Sequence, residues 1–223
     1  MKLVYSDLNL KFEFRENECQ VLVVENPKTF SEIVWDFHRQ MLGEEDKLVL
    51  SENDKVLLLE KNCDLIINPY DLEINNRRVL GKLYQEMKAI SNEDFYIQAG
   101  EVRTKIVNYL DDISMKLPYP ICFNAEMDVM NLYKLFDLRL EEEIDSLLQK
   151  VIDYLKIMSS LCGVKLIVFV NIKNFLCEEQ ILELYKASFY CKINLLLIES
   201  AQRNKLTGEN IAVLDGQDCL IHF

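Results

Sequence analysis

Three short runs constrain the fold of this chain most. Residues 21–24 (VLVV), 165–170 (KLIVFV) and 193–198 (INLLLI) are nearly continuously apolar, where a half-exposed strand would alternate. A strand apolar on successive residues is buried on both faces. When a helix separates two such strands they are parallel, with helices covering both sides of the sheet. Residues 178–187 supply a helix between the last two runs. Neither 166–172 nor 195–198 approaches the roughly 18 apolar residues that a membrane-spanning helix requires.

The remaining pattern fills in an α/β order with an interruption. Residues 10–14 alternate apolar and polar. Thr29 followed by Glu32 has the spacing of a capping box and opens a helix with Phe30, Ile33, Val34, Phe37 and Met41 on one face. Residues 48–50, 56–59 and 65–67 read as further strands or short buried pieces. From Asn75 the texture becomes helical. Leu80, Leu83, Tyr84, Met87 and Ile90 form one stripe, and Val102, Ile106, Tyr109, Leu110 and Ile113 a second, joined by Ser91–Asp94. Pro118 and Pro120 end this hairpin, and a short helix spans about 126–136. Ile144, Leu147, Leu148, Val151, Ile152, Leu155 and Met158 mark an amphipathic helix, with short strands at 211–214 and 220–223 at the end. The predicted fold is α/β. Residues 1–74 and 137–223 form a discontinuous head with a mainly parallel sheet, and residues 75–136 form an inserted helical leg.

Charge and cysteine narrow the function. The 223 residues carry 25 Lys and Arg against 37 Asp and Glu, a formal net charge of −12. A field of that sign opposes nucleic acid and anionic membranes alike, unless the cations are segregated from the acids. Seven cysteines, odd in number and without a Cys-x-x-Cys pair, read as free thiols, most of them within apolar segments. No signal-peptide apolar stretch follows Met1, and the expected location is the cytoplasm.

Enzymatic motifs are missing. The strand and helix at 21–41 stand where a phosphate-binding loop would lie, and Lys28-Thr29 echoes its last two residues. Residues 21–28 contain no glycine to let backbone amides curl around a phosphate. The strand 166–170 runs into Asn171, where such enzymes place a metal-holding carboxylate. His38 and His222 belong to no nucleophile or metal pattern. The core thus has the outline of a nucleotide hydrolase without its phosphate loop, and neither catalysis nor nucleotide binding is expected. Of the charged groups, Arg77, Arg78 and Lys82 open a helix against its dipole. Lys134, Arg139, Lys150 and Lys156 form a second basic set. Glu126 with Asp128, and Glu141 to Glu143, stand at predicted helix starts, where carboxylates are favourable whether or not they meet a cation.

Three segments carry a family resemblance: Lys165–Glu179 with Ile193–Glu199, Asn76–Tyr84, and Leu132–Glu141. They are similar to the short form of the CRISPR-associated adaptation protein of type II-A systems, the DNA-end-binding ring family. The resemblance implies a homotetrameric ring and a head that retains no hydrolysis. It implies double-stranded DNA ends held in a lysine-lined hole without sequence preference, and calcium ions that stabilise the ring. It also implies a role in spacer acquisition, within antiviral defence, beside the CRISPR integrase complex and the RNA-guided effector nuclease. By position it makes Lys134, Arg139 and Lys150 DNA contacts and places Glu126, with Asp128, near the calcium-binding segment. Residues 117–125 contain no carboxylate where several family members carry a string of them. From the residues alone a second reading stands beside it, a degenerate nucleotide-hydrolase-like scaffold that binds only partner proteins.

Overall fold

The computed structural model describes the chain except for Glu45, Asp46, Met127, Glu143, Ile144 and Phe223, and describes His222 without its side chain. The expectations placed on Glu143, Ile144, Phe223 and the His222 side chain lie outside the described residues. Two compact units emerge, one formed by residues 1–74 with 143–223 and the other by residues 75–142. Residues 137–142 group with the second, helical unit.

The first unit is built on a six-stranded sheet. Its strands are β3 (Cys19–Val24), β6 (Cys63–Ile66), β7 (Leu166–Val170), β8 (Asn194–Glu199), β9 (Glu209–Leu214) and β10 (Leu220–His222). Their order is β10-β9-β3-β8-β7-β6, with only β10 antiparallel. The registers Val21↔Leu197, Phe169↔Leu197 and Val21↔Ile211 bring the apolar runs side by side. A second, antiparallel sheet has the order β2-β1-β4-β5, from β1 (Lys2–Tyr5), β2 (Leu10–Glu13), β4 (Leu48–Glu52) and β5 (Lys55–Leu57). The β4–β5 hairpin closes through Asn53 and Asp54, both at positive φ (48° and 61°). A two-residue turn with left-handed backbone at both positions matches the strand twist, and Asn and Asp tolerate it best among residues with side chains.

The helices of this unit are α1 (Pro27–Met41), the short α2 (Leu59–Asn62), α6 (Leu147–Ser160) and α7 (Glu178–Tyr190). Strand residues of even number, Leu22, Val24, Leu166, Val168, Leu196 and Ile198, share one core with Ile33 and Phe37 of α1 and with Leu3, Phe12 and Leu50 of the antiparallel sheet. Residues of odd number, Val21, Val23, Ile167, Phe169, Leu195 and Leu197, are equally buried on the opposite face. That is the side of α6 and α7, which pack on one another, as the period of two requires.

Sequence patterns and structure part at the helix ends. Asn26, not Thr29, caps α1: its Oδ1 accepts from the Lys28 amide at 3.0 Å, and Pro27 takes the first helical position. Thr29 is buried within the first turn. Glu141 and Glu142 do not open α6, whose cap is Ser146, accepting from the Gln149 amide at 3.1 Å. Of the seven cysteines, all free, only Cys19 and Cys63 are buried, while Cys122, Cys177 and Cys219 are exposed. Apolar flanks in sequence therefore did not translate into buried thiols for most of them.

The second unit contains α3 (Arg77–Glu93), α4 (Tyr96–Ser114) and α5 (Val129–Leu135). Asn76 caps α3, accepting from the Val79 amide at 3.0 Å. The α3–α4 connection is tighter than predicted, because α3 continues through Ser91, Asn92 and Glu93. Tyr84 and Tyr133 tie the unit together: the Tyr84 hydroxyl donates to the Leu138 carbonyl at 2.8 Å, and the Tyr133 hydroxyl to the Met87 carbonyl at 3.2 Å. No residue of α4 is buried. Its predicted core stripe stands open, with Val102 41%, Tyr109 64% and Ile113 41% exposed. No described helix is long and apolar enough to cross a membrane.

Candidate nucleic-acid interface

Phosphate contacts require cations with unspent charge. The two units differ sharply by that measure. The helical unit carries 9 Lys and Arg against 11 Asp and Glu, whereas the remainder carries 16 against 26. The acidity of the chain is therefore concentrated in the first unit. The cations there are also largely engaged: Lys165 pairs with Glu52, Lys156 with Asp153, and Lys47 with Asp7 and Asp36. In the helical unit, Arg77, Lys82, Arg103, Lys105, Lys116 and Lys134 are exposed, and their side chains make no hydrogen bond or ion pair among the described residues.

The predicted DNA contacts fall on both sides of this divide. Lys134 is exposed in the last turn of α5, where the helix carbonyls favour a cation. Arg139 is exposed too, but its guanidinium is paired with Asp137. Asn75 fixes the backbone beyond it, accepting from the Leu140 amide at 2.8 Å and donating to the Leu140 carbonyl at 3.0 Å and to Glu142 at 2.6 Å. Lys150 belongs to the first unit. Its ammonium donates to the Tyr70 carbonyl at 2.6 Å, so the side chain holds the fold locally instead of standing free. Arg103, Lys105 and Lys116 were not singled out from the sequence. The signal available for them was cations scattered among the apolar residues of a helix that turns out to be uncovered.

The residues expected near calcium, Glu126 and Asp128, are not joined by a third metal-binding side chain among the described residues. Asp128 caps α5, accepting from the Met130 amide at 3.1 Å, and is paired with Lys88 at 3.1 Å. The Met130 amide first, then Lys88, hold its carboxyl below the usual carboxylate range. Glu126 is exposed, with its own amide bound to Asn124 Oδ1 at 2.9 Å. No group of three His, Cys, Asp or Glu able to hold a metal occurs among the described residues. A calcium ion wants six to eight oxygens, of which Glu126 and the lysine-paired Asp128 offer at most four.

Where a phosphate loop would lie, the chain passes from Val24 into α1 through Glu25 and Asn26. The Asn26 side chain covers one amide of the helix N-terminus and Pro27 removes another. Asn171, at φ 53°, turns the chain after β7 and accepts the Ser200 amide at 2.8 Å. Its role there is to join the ends of β7 and β8.

Residues 40–217 match the model of a family described as CRISPR-associated protein (Cas_Csn2). The match spans the α/β unit from the end of α1 through β9 and the whole helical insertion, so this chain belongs to the CRISPR-associated Cas_Csn2 family.

Proposed function

We propose that the protein is a non-enzymatic, cytoplasmic binder of double-stranded DNA ends that acts as a ring of four copies during CRISPR spacer acquisition. The observation that carries this reading is the set of exposed, unpaired cations in the helical unit of a Cas_Csn2 family member. They supply sequence-independent phosphate contacts, while the acids of the first unit discourage DNA from spreading over the remaining surface. Self-assembly is supported by α4, a 19-residue helix with an apolar stripe and no buried residue. Exposed apolar surface of that extent favours a protein partner, and a second copy is the simplest one. In this reading the CRISPR integrase complex and the effector nuclease receive the DNA that the ring holds. Calcium, in this reading, stabilises the ring by drawing oxygens from more than one copy.

A gel-shift comparison of linear and covalently closed circular duplex tests the mechanism. Retention of linear DNA alone is the expected result. Equal binding to both forms overturns loading from an end, and binding to neither favours a scaffold that meets only proteins. Free phosphate appearing on addition of ATP and magnesium overturns the non-enzymatic assignment.

A further inference from the structure

The first unit has a cavity of about 610 Å³ on the α1 side of the parallel sheet, beside the carboxyl ends of β6 and β7. Open α/β sheets favour ligands beyond the carboxyl ends of their strands. The rings of Phe30, Trp35, His38 and Phe175 line the cavity. The ring of Trp35, 58% exposed, is centred 5.9 Å from that of His38, and Phe175 makes an edge-on contact with Tyr70 at 5.8 Å between ring centres. Trp35 is the only tryptophan of the chain, and a core position would ordinarily have buried it.

The polar groups of the cavity are unusually one-sided. Asn171 Oδ1 is consumed by the Ser200 amide at 2.8 Å, and Asn174 Oδ1 by the guanidinium of Arg203. Both partners can only donate, which fixes the orientation of the two carboxamides. Each asparagine therefore keeps its whole Nδ2–H2 group to offer, beside one remaining lone pair on Oδ1, and neither side chain makes a further hydrogen bond among the described residues. The Ser31 hydroxyl also reaches the cavity, whose described lining contains no Asp, Glu, Lys or Arg. Aromatic faces combined with edge-on amide donors and no fixed charge suit a neutral, planar ring bearing acceptor atoms on its rim.

We propose that this cavity binds a nucleobase, stacked on Trp35 and read by the Nδ2 donors of Asn171 and Asn174. The base can come from a free nucleoside or from an unpaired residue at a DNA end, and the second source alone rests on the DNA reading above. Stacking of a base on an aromatic side chain contributes about 1–3 kcal/mol in single-strand binders.

Trp35 fluorescence reads the site directly, because no other tryptophan contributes. The full chain is titrated with adenosine, guanosine, cytidine and thymidine, and separately with a blunt duplex and the same duplex carrying one unpaired nucleotide. Saturable quenching by a nucleoside supports a free ligand. Quenching by the overhang duplex but not by the blunt one supports a DNA terminus. Asn171→Asp and Asn174→Asp keep the oxygen that Ser200 and Arg203 require and replace the donor by a charged acceptor that repels the acceptor rim of a base. Each is expected to weaken binding about tenfold with an unchanged melting temperature. Linear, unsaturable quenching in every titration overturns the proposal, and so does unaltered affinity in both Asp variants. The nucleoside titrations keep their meaning even if the protein does not bind DNA.

Discussion

Glu199 ends the central strand β8 with a carboxyl almost out of water, 2% exposed and accepting from the Lys173 amide at 3.2 Å. Burial pushes it up to about 7, against the opposing pull of Lys173 and Arg203. Its neighbour Glu209 takes the Lys173 ammonium at 2.5 Å and the Tyr185 hydroxyl at 2.6 Å, so a single buried lysine serves two carboxyl groups. A folded-state value raised above the ordinary 4.5 means that the folded protein holds a proton the unfolded chain releases. The stabilisation from Glu199 is complete below pH 4.5 and disappears as pH rises through 7. Between pH 5.5 and 8, denaturant unfolding should show a loss of about 2 kcal/mol that Glu199→Gln lacks. Parallel pH profiles for the parent and the variant would refute this. Nothing in the sequence announced the cluster, since Lys173, Tyr185, Glu199 and Glu209 meet only when β8, β9 and α7 pack.

At the scale of elements, α1 tests how a helix start is read. Replacing Asn26 by Ala should cost about 1 kcal/mol, because its Oδ1 satisfies an amide that no helical carbonyl reaches. Thr29→Val should cost less if Thr29 contributes mainly by packing. A larger loss for Thr29→Val in chemical denaturation would restore the capping role that its spacing suggested. The better signal was Asn26-Pro27, because proline favours the first helical position and leaves the preceding residue to cap. Ser146 with Gln149 likewise marked the start of α6 more reliably than the acidic run before it. The antiparallel sheet was harder to foresee. In β1, four residues long, the alternation that buries Leu3 and Tyr5 is too short to stand out.

Across the whole molecule, the decisive quantity is where charge remains unspent. If Arg77, Lys82 and Lys134 contact phosphates, replacing all three by Ala should lower the slope of log affinity against log salt by about 0.9 per lost contact. Lys150→Ala should leave that slope unchanged and reduce stability instead, because its ammonium holds the Tyr70 carbonyl. A change of slope for Lys150→Ala with none for the triple variant would invert the assignment. The sequence by itself determined the parallel core and the helical interruption, because burial on both faces demands continuous apolar runs and one-sided burial demands a helical period. It also carried the family, in segments long enough to be matched. Only the tertiary structure decided which cations are free, which thiols are buried and which apolar stripe is left uncovered. Each of those depends on a partner distant in the chain: Tyr70 for Lys150, Lys88 for Asp128, and for α4 the lack of any cover among the described residues.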